Sequence, residues 1–244
     1  MSDEPRLRGK SGSSSGPWQI GQIPERVIYA IGRQLVHRLA YGRMDISGDD
    51  FGDIFAAAID GAHHSSPLGM VDVLFGGVSW SVKTVKSAKP QTQRQVRLIS
   101  GRNSPDFSSG IKNPHADLQA TGQAVLAVWN SRLNAARKEQ NDVCVAVLIR
   151  NMQTQCFTLF EEEITRYVAA DYEWRKNERG NLQGHRKTDG KHCFTWQFHG
   201  SQFTIFRAVP GSATHFKINC IVPRIEPSHI ESLIRYNDGW IEIG

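Results

Sequence analysis

A chain of 244 residues can bury one large core or two small ones, and 39% hydrophobic with 22% charged residues excludes a disordered or fibrous polymer. No apolar run approaches the roughly 18 residues of a membrane span, and the start, MSDEPRLRGKSGSSSG, lacks the apolar core of a signal peptide, so the expected compartment is the cytoplasm without membrane attachment. A formal net charge of +5 favours an anionic partner, nucleic acid first.

In chain order, residues 1–16 are rich in Ser, Gly and charge without periodicity and read as a disordered tail. PERVIYAIGRQLVHRLAYG places Val27, Ile31, Leu35 and Leu39 at helical spacing between Pro24 and Gly42. SGDDFGDIFAAAIDGA opens with Ser47 and acids suited to a helix N-terminus and continues with Phe51, Phe55 and Ile59, which predicts a second helix over about Asp49–Asp60. MVDVLF and VSWSVKTV, separated by Gly76-Gly77, predict an antiparallel hairpin.

The stretch from Ser87 to Asn113 contains one strand, Gln95–Ser100, followed by a polar loop. A long helix follows, with Asn113 as its cap, Pro114 at its first position and Leu118, Val125, Trp129 and Leu133 on one face. DVCVAVLIRN reads as a strand covered on both faces and QCFTLFE as its neighbour. From Glu161 a short helix, a charged Gly-rich stretch, the strands CFTWQFH, FTIFRA and HFKINCIV, and a helix around Ser228–Tyr236 are expected.

The fold class is thus α/β, a mixed β-sheet flanked by helices with a C-terminal α+β elaboration. The core occupies 17–165, and 166–244 belongs to the same body. Cys144, Cys156, Cys193 and Cys220 are widely spaced and form no C-x-x-C pair, and His63, His64, His185, His192, His199 and His215 lack zinc-ligand spacing. There is no phosphate-binding G-x-x-x-x-G-K-[ST] loop and no G-x-S-x-G elbow.

The hairpin raises a chemical question, because it puts Asp72 in one apolar strand and Lys83 in the next, where both charges are costly to bury. Alternation puts Ser81, Lys83 and Val85 on one face of the second strand and Trp80, Val82 and Thr84 on the other. The hairpin can bring Asp72 opposite the Ser81/Lys83 face. Phosphodiester hydrolysis uses a cation to neutralise the phosphate, carboxylates to hold that cation and a positive group near the attacking water.

Helix, Asp72 strand, turn, Ser81-x-Lys83 strand, helix and strand, over about residues 24–160, resemble the PD-(D/E)xK nuclease superfamily, especially its type II restriction endonucleases. The resemblance implies a restriction-endonuclease-like core, Mg²⁺ as cofactor, and sequence-specific cleavage of double-stranded DNA. By it Asp72 matches the metal-binding aspartate and Lys83 the catalytic lysine, while Ser81 stands in the place of the second carboxylate. Serine replaces a carboxylate poorly at Mg²⁺. Some superfamily members resemble this Ser-x-Lys form and take the missing acid from a helix, which makes Asp53 the first candidate, with Asp50 three residues earlier, and Asp117 the second.

Two basic, polar segments are candidates for contacting DNA. The first carries Arg94, Arg97, Arg102 and Asn103; the second carries Arg175, Lys176, Asn177, Arg179, Asn181, Gln183, Arg186 and Lys187 and makes 166–244 the DNA-recognition region. The alternatives are a non-catalytic DNA-binding module and a repair nuclease of the same superfamily. A homodimer matched to a palindromic site is left open.

Overall fold

The computed structural model describes residues 16–64 and 70–243. Apart from Gly16, the expected N-terminal tail lies outside the described residues. In chain order the elements are α1 (Glu25–Ala40), α2 (Gly48–Ile59), β1 (Ala62–His63), β2 (Val73–Phe75), β3 (Val78–Lys86), β4 (Gln95–Arg102), α3 (Pro105–Ser109), α4 (Leu118–Glu139), β5 (Asp142–Asn151) and β6 (Cys156–Glu163). They continue with β7 (Tyr172–Lys176), β8 (Leu182–Arg186), β9 (His192–Gln197), β10 (Gln202–Ala208), β11 (Thr214–Lys217) and α5 (Pro227–Ile234).

The protein is a mixed α/β structure built on two sheets. A six-stranded sheet has the order β1-β2-β3-β5-β6-β11, and a five-stranded sheet has the order β4-β10-β9-β8-β7. Gly76 and Gly77, at φ 56° and 79°, form the left-handed turn that joins β2 antiparallel to β3. β3 then runs parallel to β5 from Val78↔Asp142 to Lys86↔Arg150, a pairing that requires the crossover containing α4.

Alternation along β3 and β5 sorts side chains into two cores. Trp80, Val82, Cys144, Ala146 and Leu148 pack against Val27, Ile31 and Leu35 of α1 and Phe51 and Phe55 of α2. Val143, Val145, Val147 and Ile149 face α4, whose Val125, Leu126, Trp129 and Leu133 also meet Trp174, Phe194 and Phe203 of the second sheet. The apolar face of helix α4 therefore packs against both sheets. Its Gly122 admits the Trp174 ring so closely that a Cβ there would lie 2.3 Å from three ring atoms.

The structure revises several local expectations. Helix α4 starts at Leu118, because the Asp117 side chain caps it by accepting from Ala120 N at 2.9 Å, while Asn113-Pro114 forms a preceding turn. The strand at Gln95 belongs to the second sheet, paired with β10, and the polar loop after it contains α3. No α-helix forms between β6 and β7. The carbonyls of Thr165 and Tyr167 accept instead from Trp129 Nε1 and Asn130 Nδ2 of α4, and only a 3-10 turn forms at Ala169–Asp171. The charged Gly-rich stretch is the β7–β8 hairpin and its turn. Since β4 pairs with β10 and β6 with β11, the segment after residue 165 completes both sheets. No described helix is long and apolar enough to cross a membrane.

Candidate active site

The site forms where β3 loses its partner. Strand β2 begins at Val73, and the last ladder contact before it is Asp72 N donating to Trp80 O at 2.9 Å. Beyond this point no described strand meets the N–H of Val82 on this side. The Asp72 carboxylate takes its place: Oδ2 accepts from Val82 N at 3.0 Å, Ser81 Oγ at 3.2 Å and Lys83 Nζ at 3.3 Å. Asp72 and Lys83 side chains are 18% and 25% exposed, sheltered enough to strengthen their attraction yet open to solvent. No described group hydrogen-bonds the second carboxylate oxygen of Asp72.

The free margin of β3 opens onto a cleft of about 400 Å³. Asp72 and Lys83 line it together with Arg97 and Ile99 of β4 and with Asp49, His63 and His64. Arg132 of α4 interacts electrostatically with Asp72, and its Nη1 donates to Ser100 O at 2.7 Å and Asn103 Oδ1 at 3.0 Å. Burial presses the Arg132 guanidinium below its ordinary pKa, and the negative charge of Asp72 opposes that shift.

The structure brings together Asp72, Ser81, Lys83 and Arg97, and it gives the other acids different tasks. Asp50 closes the capping box of α2, accepting from Ser47 N at 2.8 Å and from Ser47 Oγ at 2.9 Å. The Ser47 backbone bond is the chief reason its pKa is lowered. Asp53 Oδ1 lies 2.8 Å from His63 Nδ1, and the His63 ring rests on Gly52, where a Cβ would come within 2.3 Å of Nε2. Asp117 caps α4 as described. Asp49, one turn before Asp53, is the helical acid that lines the cleft. Asp53 was the first candidate for the helical acid, but its pairing with His63 was not legible, because the spacing of ten residues spans a helix end and a strand, which no local motif reports; Asp49 was not among the candidates.

Among the DNA-contact candidates, Asn103 is fully buried, with Nδ2 donating to Val125 O and its own carbonyl accepting from Trp196 Nε1. It is a packing residue. Asn177 Oδ1 is occupied by the backbone N–H groups of Arg179 and Asn181 in the β7–β8 turn. Arg186 turns to Asp189 and towards Cys193 Sγ, beside Tyr167 and Tyr172. Arg94 lies in a separate groove with Val209 and His215. Arg102, Arg175, Lys176, Arg179 and Lys187 are exposed, and Gln183 is half-buried opposite Arg175.

A buried carboxylate outside the cleft holds the fold. Glu161 of β6 is 3% exposed and accepts from Trp80 Nε1, from Trp18 Nε1 at 2.9 Å and from Gly21 N at 2.9 Å. It fastens the segment before α1 to the sheet.

No group of three or more His, Cys, Asp or Glu side chains positioned to hold a metal occurs among the described residues. The donor set therefore does not form an all-protein cage. Mg²⁺ needs only one or two carboxylates and completes its shell with water and substrate phosphate, and Asp72 and Asp49 are the carboxylates that line the cleft. Comparison of the chain with family models, curated proteins and solved structures gives no match.

Proposed function

We propose that this protein is a Mg²⁺-dependent, sequence-specific endonuclease of double-stranded DNA, with a core of the PD-(D/E)xK type similar to that of type II restriction enzymes. The observation that carries the reading is the Asp72–Lys83 pair, 3.3 Å apart where β3 loses β2, in an open cleft that Arg97 also lines. The order of α2, the β2–β3 hairpin, the α4 crossover and parallel β5 supports it.

Asp72, with Asp49 lining the same cleft, would hold the ion, which when bound neutralises phosphate charge and acidifies water. Lys83 places its ammonium beside Asp72, suited to orient the attacking water and to stabilise charge developing on the phosphoryl oxygens. Arg97 holds a flanking phosphate. Ser81 serves as a hydrogen-bond donor that orients Asp72.

A non-catalytic DNA-binding protein is the second reading, favoured by Ser81 standing where a carboxylate ligand would be needed. The two separate on incubation with mixed-sequence plasmid and phage DNA in Mg²⁺ or EDTA. Discrete Mg²⁺-dependent fragments, absent for Asp72→Ala and Lys83→Ala, support the nuclease. Intact DNA with tight, salt-dependent binding supports the second reading.

A further inference from the structure

The five-stranded sheet packs Val96, Leu98, Trp174, Leu182, Phe194, Trp196, Phe203 and Ile205 toward α4. The alternate residues form its other face, where directly opposed residues of antiparallel neighbours stand side by side. Gln202 lies opposite both Gln197 and Arg102, and Gln183 lies opposite Arg175. All five side chains are exposed or half-buried.

Arg102 reaches this face through a β-bulge. Val96, Leu98 and Ser100 are buried toward α4, and unbroken alternation would send Arg102 the same way. Between Thr204↔Ile99 and Gln202↔Arg102, however, β4 advances three residues while β10 advances two. Gly101, at φ 90°, supplies the left-handed backbone that the extra residue needs. Arg132 grips both flanks of the bulge through Ser100 O and Asn103 Oδ1. The Asn103–Arg132 pair thereby aims Arg102 outward.

The resulting face has an order suited to a DNA groove. Arginines stand on the two edge strands, with Arg97 and Arg102 on β4 and Arg175 on β7, and the amides Gln202, Gln197 and Gln183 stand on the three strands between them. Glu173 is the one acid in these five strands, and Arg175 holds it at 2.9 Å. Four inter-strand spacings make the face about 19 Å wide, so amides near its middle would meet base edges in a major groove about 12 Å wide while the edges meet the flanking phosphates. Strand β4 also supplies Arg97 and Ile99 to the cleft that holds Asp72 and Lys83.

We propose that this sheet face is the docking surface for duplex DNA, with the amide strip reading bases, the arginine edges holding phosphates, and β4 delivering the strand to the cleft. The inference rests on the nuclease reading above. It is tested with the cleavage-deficient Lys83→Ala protein in EDTA, by fluorescence anisotropy on a labelled randomised duplex over a range of salt. Adding Arg102→Ala and Arg175→Ala is expected to weaken binding at least about tenfold and to reduce the slope of log K against log salt by about 2, near 0.9 for each lost phosphate contact. Adding Gln197→Ala and Gln202→Ala instead is expected to abolish the sequence preference recovered by selection from the pool while keeping that slope. Unchanged affinity and slope in the arginine variant overturn the docking face and leave the nuclease reading standing. Preference for a single strand over the duplex overturns the assigned occupant, whereas no duplex binding by the parent at low salt removes the nuclease reading itself.

Discussion

Gly122→Ala tests how the second sheet is seated, because two opposing effects of known size meet at one atom. In an ordinary helix interior the change stabilises by about 0.5–1 kcal/mol, since glycine gives up more backbone freedom on folding. Here the new methyl would stand 2.3 Å from Cγ, Cδ1 and Cδ2 of Trp174, so the ring would have to retreat by more than an ångström. It has little room to do so. Trp174 is 2% exposed, its backbone N and O are both bonded to the Gln119 amide at 3.1 and 2.7 Å, and Phe194 stacks beside its ring. Overpacking of this kind costs about 1–3 kcal/mol and belongs at the upper end here, leaving a net loss of about 1–2 kcal/mol. For a chain of this size that lowers Tm by roughly 2–8 °C. Urea unfolding of parent, Gly122→Ala, Trp174→Leu and the double variant reads the coupling. With the large ring gone, Gly122→Ala is expected to reverse sign and stabilise by about 0.5–1 kcal/mol. A Tm that rises on Gly122→Ala in the parent background would refute the close approach and the packing argument built on it.

Lys83→Ala is expected to slow DNA cleavage by about 10²–10⁴-fold while shifting stability by no more than about 1 kcal/mol, because its ion pair with Asp72 is part-exposed; paired cleavage assays and thermal melts check both halves. Glu161→Ala strands the Trp18 and Trp80 indole N–H groups and Gly21 N without their acceptor. A cost of about 3 kcal/mol or more is expected in urea unfolding, and a melt matching the parent would show that the buried carboxylate is dispensable. At the start of α2, Asp50→Ala is expected to cost about 1 kcal/mol near neutral pH through loss of the capping box. Because the pKa of Asp50 is lowered in the folded state, that contribution is present above the ordinary carboxylate pKa of 3.8 and is lost as pH falls through the lower folded value. Melts of parent and variant should therefore converge in acid.

The sequence by itself determined the elements whose causes are local. Helical spacing of Val27, Ile31 and Leu35, the Ser47 cap, the Gly76-Gly77 turn and the apolar run of β5 each involve residues a few positions apart, where periodicity and turn chemistry are decisive. The two-glycine turn made a meeting of Asp72 with the Ser81/Lys83 face legible, but the register that brings Oδ2 onto Ser81 and Lys83 was decided by the structure. Tertiary structure decided which sheet β4 would join, because its partner β10 lies about a hundred residues away and any strand of similar pattern satisfies the alternation. It also decided the fates of polar residues that look alike in sequence. Asn103 became a buried brace for Arg132, Asp53 took His63 as its partner, Asp117 became a cap, and Arg102 was turned outward by a bulge. A polar side chain must satisfy its hydrogen bonds with whatever the fold brings within about 3 Å, and that neighbour is set by packing between distant segments.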